Sequence, residues 1–105
     1  MDIVNEKTTY RIVVEFIAED GAPVIPTFVT YQIDDVLSDE NVLSSRSFVP
    51  SGSQYVITIP YSSNRVINSN NDTEERSITV VAIYGVGKQC TGEYRYKVRN
   101  LLKVT

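Results

Sequence analysis

The sequence predicts an all-β sandwich of about seven antiparallel strands, which residues 1–105 form as a single domain. Val and Ile number 15 and 10, against 4 Leu and 3 Ala. These β-branched residues fit a pleated surface and are poor choices for a helix. Apolar and polar residues alternate in short runs, and no run repeats with the helical period. Turn-forming clusters separate the runs at the spacing typical of a sandwich.

The first 60 residues hold four predicted strands. Three of them place apolar side chains on alternate positions, and the strand at 42–49 has a weaker pattern; turn-forming clusters of Gly, Pro, Asp or Asn separate them. The turn at 19–23 contains Gly21, which tolerates a positive φ, and is followed by Pro23. The predicted strands span residues 8–18, 27–35, 42–49 and 54–60.

The second half of the chain holds two longer strands and one long loop. Residues 61–74 form the longest irregular stretch, in which Val66 and Ile67 either make a short strand or anchor the loop to the core. The strand at 76–84 is apolar on both faces, which predicts a central strand covered on both sides. Residues 85–88 form a hairpin turn, and the last strand follows at 90–100.

The charges are unevenly distributed along the chain. The net charge is −3, made of −7 in residues 1–45, 0 in residues 46–87 and +4 in residues 88–105. The asymmetry has two explanations: an acidic and a basic face, or first and last strands that meet. A net acidic chain has no general attraction for nucleic acid, so we do not expect a nucleic-acid partner.

The composition excludes several kinds of catalytic and metal site. With no His and one Cys, the chain cannot form a His-based triad, a His-rich metal site or a disulfide. The acidic stretches 34–40 and 68–75 lack the spacing of a calcium loop, and turn 85–88 lacks the other elements of a phosphate loop. We therefore predict a protein without catalytic, cofactor-binding or metal-binding residues, which is not an enzyme.

Two sets of residues are candidate partner contacts. Arg95, Lys97 and Arg99 form a basic stripe on one face of the last strand, suited to an acidic partner surface; alternatively, they protect an edge or pair with acids across the sheet. Val81 and Ile83 would face outward in a sandwich and favour self-association; alternatively, the N-terminal arm or the loop at 61–74 covers them.

The segments VAIYGVG (81–87) and SGSQYVITIP (51–60) resemble the penultimate strand with its hairpin, and an earlier strand, of fibronectin type III domains. The resemblance implies an immunoglobulin-like, fibronectin type III-like β-sandwich. The buried Trp and the Cys pair of immunoglobulin domains are missing, and Arg76 stands at the tyrosine-corner position.

The segments PTFVTYQIDD (26–35), PSGSQYVITIP (50–60) and VVAIYGVGKQCTGEYRYKVRNL (80–101) resemble short proteins encoded among the structural genes of tailed bacteriophages and prophages. This resemblance implies a virion-associated or assembly role, with other virion or assembly proteins as partners and a location in the virion or host cytoplasm. The N-terminus lacks a secretion signal, and no apolar run approaches a membrane span, so we expect no membrane partner.

The leading hypothesis is therefore a non-enzymatic phage structural or virion-associated protein that acts through protein–protein contacts. The alternative is a recognition module, such as a carbohydrate-binding or adhesin-type sandwich domain cut from a larger chain. Exposed aromatic side chains on one sheet face would favour this alternative.

Overall fold

A computed structural model describes residues 1–103 as seven strands and two short 3₁₀ turns. The 3₁₀ turns lie at Tyr61–Ser63 and Leu101–Lys103. The strands are β1 (Asp2–Asn5), β2 (Tyr10–Glu15), β3 (Phe28–Asp35), β4 (Asn41–Phe48), β5 (Gln54–Ile59), β6 (Thr73–Tyr84) and β7 (Lys88–Arg99).

The strands form two sheets. One has five strands in the order β1-β7-β6-β3-β4, and the other pairs β2 with β5. The prediction of an all-β fold in two sheets is thus confirmed. The prediction that all strands are antiparallel is wrong at β1, which runs parallel to β7. A parallel pair needs a long connection, and the whole chain between the first and last strands supplies it. The first and last strands therefore meet.

The two sheets differ in length. Strands β6 and β7 have 12 residues each, whereas β2 and β5 have 6 each. At about 3.4 Å per residue, the long hairpin spans about 40 Å and the small sheet about 20 Å. The molecule accordingly measures 50 × 21 × 21 Å. The small sheet covers only part of the large sheet's inner face, and connecting segments must cover the rest.

The hairpin between β6 and β7 follows from its two glycines. Gly85 and Gly87 have φ values of 62° and 69°, a region that residues with a Cβ rarely adopt. The predicted turn at 85–88 is confirmed in place. It lets twelve consecutive residue pairs form, from Tyr84 opposite Lys88 to Thr73 opposite Arg99.

The core lies between the sheets and is built from alternate residues of each strand. The alternation predicted for β2, β3, β5 and β6 is confirmed, because their even or odd apolar positions are the buried ones. The residues with almost no exposed surface are Val14, Phe16, Val29, Ile33, Ile57, Ile59, Ile78, Val80, Ala82, Tyr96 and Val98.

Three local predictions differ from the structure. Strand β6 begins at Thr73, so part of the expected long loop belongs to the sheet. Strand β1 was not predicted; of the two alternatives for Val66 and Ile67, no strand forms within residues 1–103 and Val66 packs against the core. Strand β6 is central in its sheet, but Ile83 is 39% exposed. The expectation of cover on both faces is wrong there, because segment 61–72 contacts Glu74 and Arg76 on the inward face of β6.

The only helical segments within residues 1–103 are the two three-residue turns, and neither is long and apolar enough to cross a bilayer.

We predict that Tyr96→Phe destabilises the fold. The Tyr96 hydroxyl donates to Asn64 Oδ1 at 2.6 Å, and both residues are buried. Removing the hydroxyl leaves that oxygen without a partner, which costs about 1–3 kcal/mol in the free energy of unfolding, measured by urea denaturation. The control is Tyr55→Phe, whose hydroxyl makes no hydrogen bond within residues 1–103; it should change stability by less than about 0.5 kcal/mol. Equal losses in both variants would contradict the prediction.

Candidate functional site

The five predicted contact residues all lie on the outer face of the large sheet, but they do not form one surface. Alternation along β6 and β7 turns each of them away from the core. Val81 and Ile83 lie near the hairpin, opposite Thr91 and Gln89. Arg95, Lys97 and Arg99 lie toward the other end of β7. Arg95 is four residues beyond the partner of Val81, a separation of about 13 Å.

The basic stripe is partly neutralised by acids on the same face. Arg95 Nη1 lies 2.8 Å from Glu75 Oε2, and its Nε lies 2.6 Å from Glu93 Oε1. The hydrogen bonds to Glu93 and then Glu75 raise the pKa of Arg95 further. Lys97 stands directly opposite Glu75 in the register. The cross-strand pairing with acids that the sequence left open is therefore present at Arg95.

The apolar end of this face includes residues of β3 and β6 and the residue that follows β4. Phe28 of β3 stands opposite Ile83 of β6, and each side chain is 39% exposed. Val49 follows Phe48, which pairs with Val29, so Val49 lies beside Phe28 and is 73% exposed. We call Val49, Phe28 and Ile83 the apolar row. Neither the N-terminal arm nor the loop at 61–74 covers it, because β1 lies beside β7 and the loop packs at the opposite end.

The small sheet carries a second, separate apolar pair. Val13 and Val56 stand directly opposite each other and are 62% and 47% exposed. They face outward on the other side of the sandwich from the apolar row. Two valines alone make a small surface, so the apolar row is the larger of the two.

A buried ionic centre, which sequence reasoning missed, lies under the other end of the large sheet. Arg76 has no exposed surface. Its Nε lies 3.0 Å from Asp35 Oδ1, and its Nη2 lies 2.7 Å from Glu74 Oε1. Nη1 and Nη2 also donate to the carbonyls of Ser63 and Arg65. A buried charge needs such partners, since an unpaired one would cost several kcal/mol.

Glu74 fixes segment 61–72, the part of the predicted loop at 61–74 that lies outside β6. Its carboxylate accepts the amides of Ile67 and Asn68 at 2.7 and 2.9 Å, and the Asn71 side chain at 2.9 Å. Burial alone would raise its pKa, but these hydrogen bonds and the one from Arg76 outweigh burial and lower the pKa. The segment is thus tied to β6 along its length. The alternation predicted for the strand at 76–84 puts Arg76 on the inward face, whereas Glu74 lay in the predicted loop at 61–74.

At the hairpin end, one acid ties the segment after β2 to the β6–β7 hairpin. Glu19 accepts a hydrogen bond from the Tyr84 hydroxyl, and its Oε1 forms an ion pair with Lys88 Nζ at 3.1 Å. The Tyr84 hydrogen bond is the largest influence on Glu19 and lowers its pKa to about 2.

The described residues do not assemble a reactive or metal-binding group. Cys90 is a partly buried free thiol on β7. Asp35 is occupied by Arg76 and Ser38, and Asp34 by Asn41 and Gln32. Within residues 1–103 no three acids or thiols converge on a point that could hold a metal ion.

Comparison of the chain with family models, curated proteins and solved structures finds no match. The surfaces of the molecule are therefore the basis for inferring its function.

We predict that Glu74→Gln lowers stability at neutral pH and flattens its dependence on acid. The pKa of Glu74 is lowered from 4.5 in the folded state, so its stabilisation is complete above 4.5 and is lost as pH falls through the lowered pKa. Breaking the buried pair should cost about 3 kcal/mol at neutral pH. Urea denaturation between about pH 7 and about pH 3 measures both effects.

The matched control is Glu40→Gln, an exposed acid whose carboxylate makes no hydrogen bond or ion pair within residues 1–103. It should follow the wild-type curve. A Glu74→Gln variant that loses stability with acid as steeply as the wild type would contradict the prediction.

Proposed function

We propose that this protein is a non-enzymatic interaction domain with an immunoglobulin-like topology, which binds other protein subunits through the apolar row. The observation that carries the proposal is the position of the row. Phe28 and Ile83 lie side by side on neighbouring strands of one sheet face, Val49 directly follows β4 next to them, and each of the three is more than a third exposed. Adjacent exposed apolar side chains of this kind mark protein-interaction surfaces.

The strand order supports the immunoglobulin-like part of the proposal. The neighbours β7-β6-β3 and the separate pair β2-β5 correspond to the G-F-C and B-E neighbours of that sandwich class. Strand β4 extends the first sheet beside β3, as an additional strand does in variable-type domains.

The surroundings of the row support a protein partner. An aromatic and two aliphatic side chains form its centre, and polar residues stand next to them: Gln89 opposite Ile83, and Thr30 and Ser47 one row away. An apolar centre with a polar rim is the usual anatomy of a protein interface. The ion pairs of Arg95 lie outside this centre and suit orientation better than affinity.

Virion or assembly proteins remain the predicted partners, because the sequence resembles single-domain proteins encoded among phage structural genes. The proposed site itself is independent of the setting. A small face without a catalytic group suits a structural contact between subunits.

The recognition-module alternative receives less support. Exposed aromatic side chains on one face would favour it, but Phe28 lies on the outer face whereas Tyr55 stacks on Phe48 with ring centroids 4.0 Å apart. Tyr61 lies in the 3₁₀ turn after β5.

We predict that Ile83→Lys removes the protein from its assembly. A charge within the apolar row would be buried unpaired on binding, so association should weaken about tenfold or more. The control is Thr79→Lys, four residues away on the same face of β6 and outside the row. The measurement is peptide mass spectrometry on gradient-purified particles, with copy number relative to the major capsid protein, for each variant.

Wild-type and Thr79→Lys chains should band with particles at a defined stoichiometry, and Ile83→Lys chains should be depleted. Equal copy numbers for both variants would contradict a role for the apolar row. Absence of the wild-type chain from particles, despite its presence in the lysate, would contradict the virion setting.

A further inference from the structure

Strand β7 is paired along its whole length on one side but on less than half of the other. Strand β6 pairs with all of Lys88–Arg99. On the opposite side β1 pairs only with Tyr96–Arg99, and within residues 1–103 no strand continues beside the remaining two-thirds of β7. An unpaired edge of this kind is a template for another strand.

Two hydrogen bonds determine which backbone groups of β7 face this open side. The Asn100 amide donates to the Asp72 carbonyl across the β6 side, and the Arg99 carbonyl accepts from Glu6 on the β1 side. Backbone direction alternates along a strand. Gln89, Thr91 and Glu93 therefore direct their N–H and C=O groups outward, and these groups have no hydrogen-bond partner within residues 1–103.

Strand β2 of the small sheet presents a second open edge. The Phe16 amide donates to the Ser53 carbonyl at 2.8 Å, which places the even-numbered residues of β2 against β5. The backbone groups of Arg11, Val13 and Glu15 thus face away from β5, and they too have no partner in the described part of the chain.

Between these two edges an apolar pocket leads from the surface into the core. It has a volume of about 180 Å³ and is partly open to solvent. An engineered core cavity of about 150 Å³ accommodates benzene, so this pocket has room for apolar side chains. Its lining includes Val14 of β2, Phe16 just after β2, Val80 and Ala82 of β6, and the partly buried Cys90 and Tyr94 of β7.

We propose that this groove binds an extended strand of another protein, which pairs with β7 in line with β1 and inserts alternate apolar side chains into the pocket. Strand β1 determines where the added strand would lie, because β1 already pairs with the same edge of β7. Backbone pairing would supply affinity and the pocket would select alternate side chains, as in other cases of strand addition. This site is separate from the apolar row and does not depend on it.

The charge at the mouth of the groove defines the partner further. Glu15 lines the pocket, is exposed, and forms no ion pair within residues 1–103. Glu93 stands on the facing edge of β7, bound only by Arg95. The outward side chains of the inserted strand should therefore include Lys or Arg.

The test uses the full chain and a synthetic peptide of about eight residues, the number that spans the open part of β7. The peptide alternates valine with threonine and has a lysine at each end. Cys90 is the only thiol in the chain and lines the pocket. Saturating peptide should slow the labelling of Cys90 by a thiol reagent by about tenfold or more, a change expected only if the pocket is filled.

The decisive variant is Thr91→Pro, which removes an outward amide that makes no bond within the fold and suits an edge strand. It should abolish protection of Cys90, whereas Thr91→Ala, which keeps the amide, should retain it. Gln89→Pro should repeat the result if Thr91→Pro fails to fold. Equal protection in the proline and alanine variants would overturn the proposal, because it would indicate a small apolar ligand site that needs no strand pairing.

A tethered version removes the dependence on peptide affinity. A similar alternating segment joined directly before Met1 would continue β1 along the open edge, since Asp2 stands opposite Tyr96. Its high effective concentration should protect Cys90 fully, and a glycine–serine segment of the same length should not. Failure of the tethered strand to protect Cys90 would overturn the proposal. A wild-type dimer in sedimentation whose Cys90 is already protected from the thiol reagent without peptide would also overturn it.

Discussion

The fully buried guanidinium of Arg76 is the constraint on which one half of this molecule depends. Its four hydrogen bonds join Asp35 of β3, Glu74 of β6 and two carbonyls of segment 61–72. A buried charge that lacks a partner is strongly destabilising. The pairing of the strands, the position of the segment and the side-chain rotamers must therefore all bring the partners of Arg76 within hydrogen-bond distance. Glu74 extends the same network to the backbone of Ile67 and Asn68. The irregular segment 61–72 is thereby held in place by hydrogen bonds to buried side chains.

The other half of the molecule is closed differently, because the small sheet is half as long as the hairpin beneath it. Near the hairpin, the segment around Phe16 and Glu19 packs on the inner face of the large sheet. Strand β1 pairs only with Tyr96–Arg99, and β2 pairs only with β5, so within residues 1–103 one edge of β2 and most of one edge of β7 have no partner strand. At the end of the sandwich around Arg76, ionic and amide contacts hold the inner face covered. At the hairpin end, the groove and the apolar row remain open to solvent. The surfaces suited to partners lie away from the ionic centre.

Alternation in the sequence predicted the strands that bury one face, such as β2 and β5, because a strand with one buried face has an apolar residue at every second position. It did not predict β1, in which Val4 is the only buried residue and pairing with β7 supplies the stability. Alternation also placed Arg76 on the inward face but could not name Asp35, 41 residues away, as its partner. The open edges were beyond sequence reasoning, since they depend on which strands become neighbours. Val81 and Ile83 were correctly placed outward, whereas the pairing of Arg95 with Glu75, 20 residues away, appears only in the strand register.

Residue-resolved hydrogen exchange of the wild-type protein tests this division most directly. The amides of Ile67 and Asn68, in an irregular segment, should exchange slowly because Glu74 binds them. The amides of Gln89, Thr91 and Glu93, in the middle of a long strand, should exchange rapidly because nothing within residues 1–103 accepts from them. The reverse order, with the segment exchanging freely and the β7 amides protected, would contradict both claims: that Glu74 holds segment 61–72 in place, and that this edge of β7 is open.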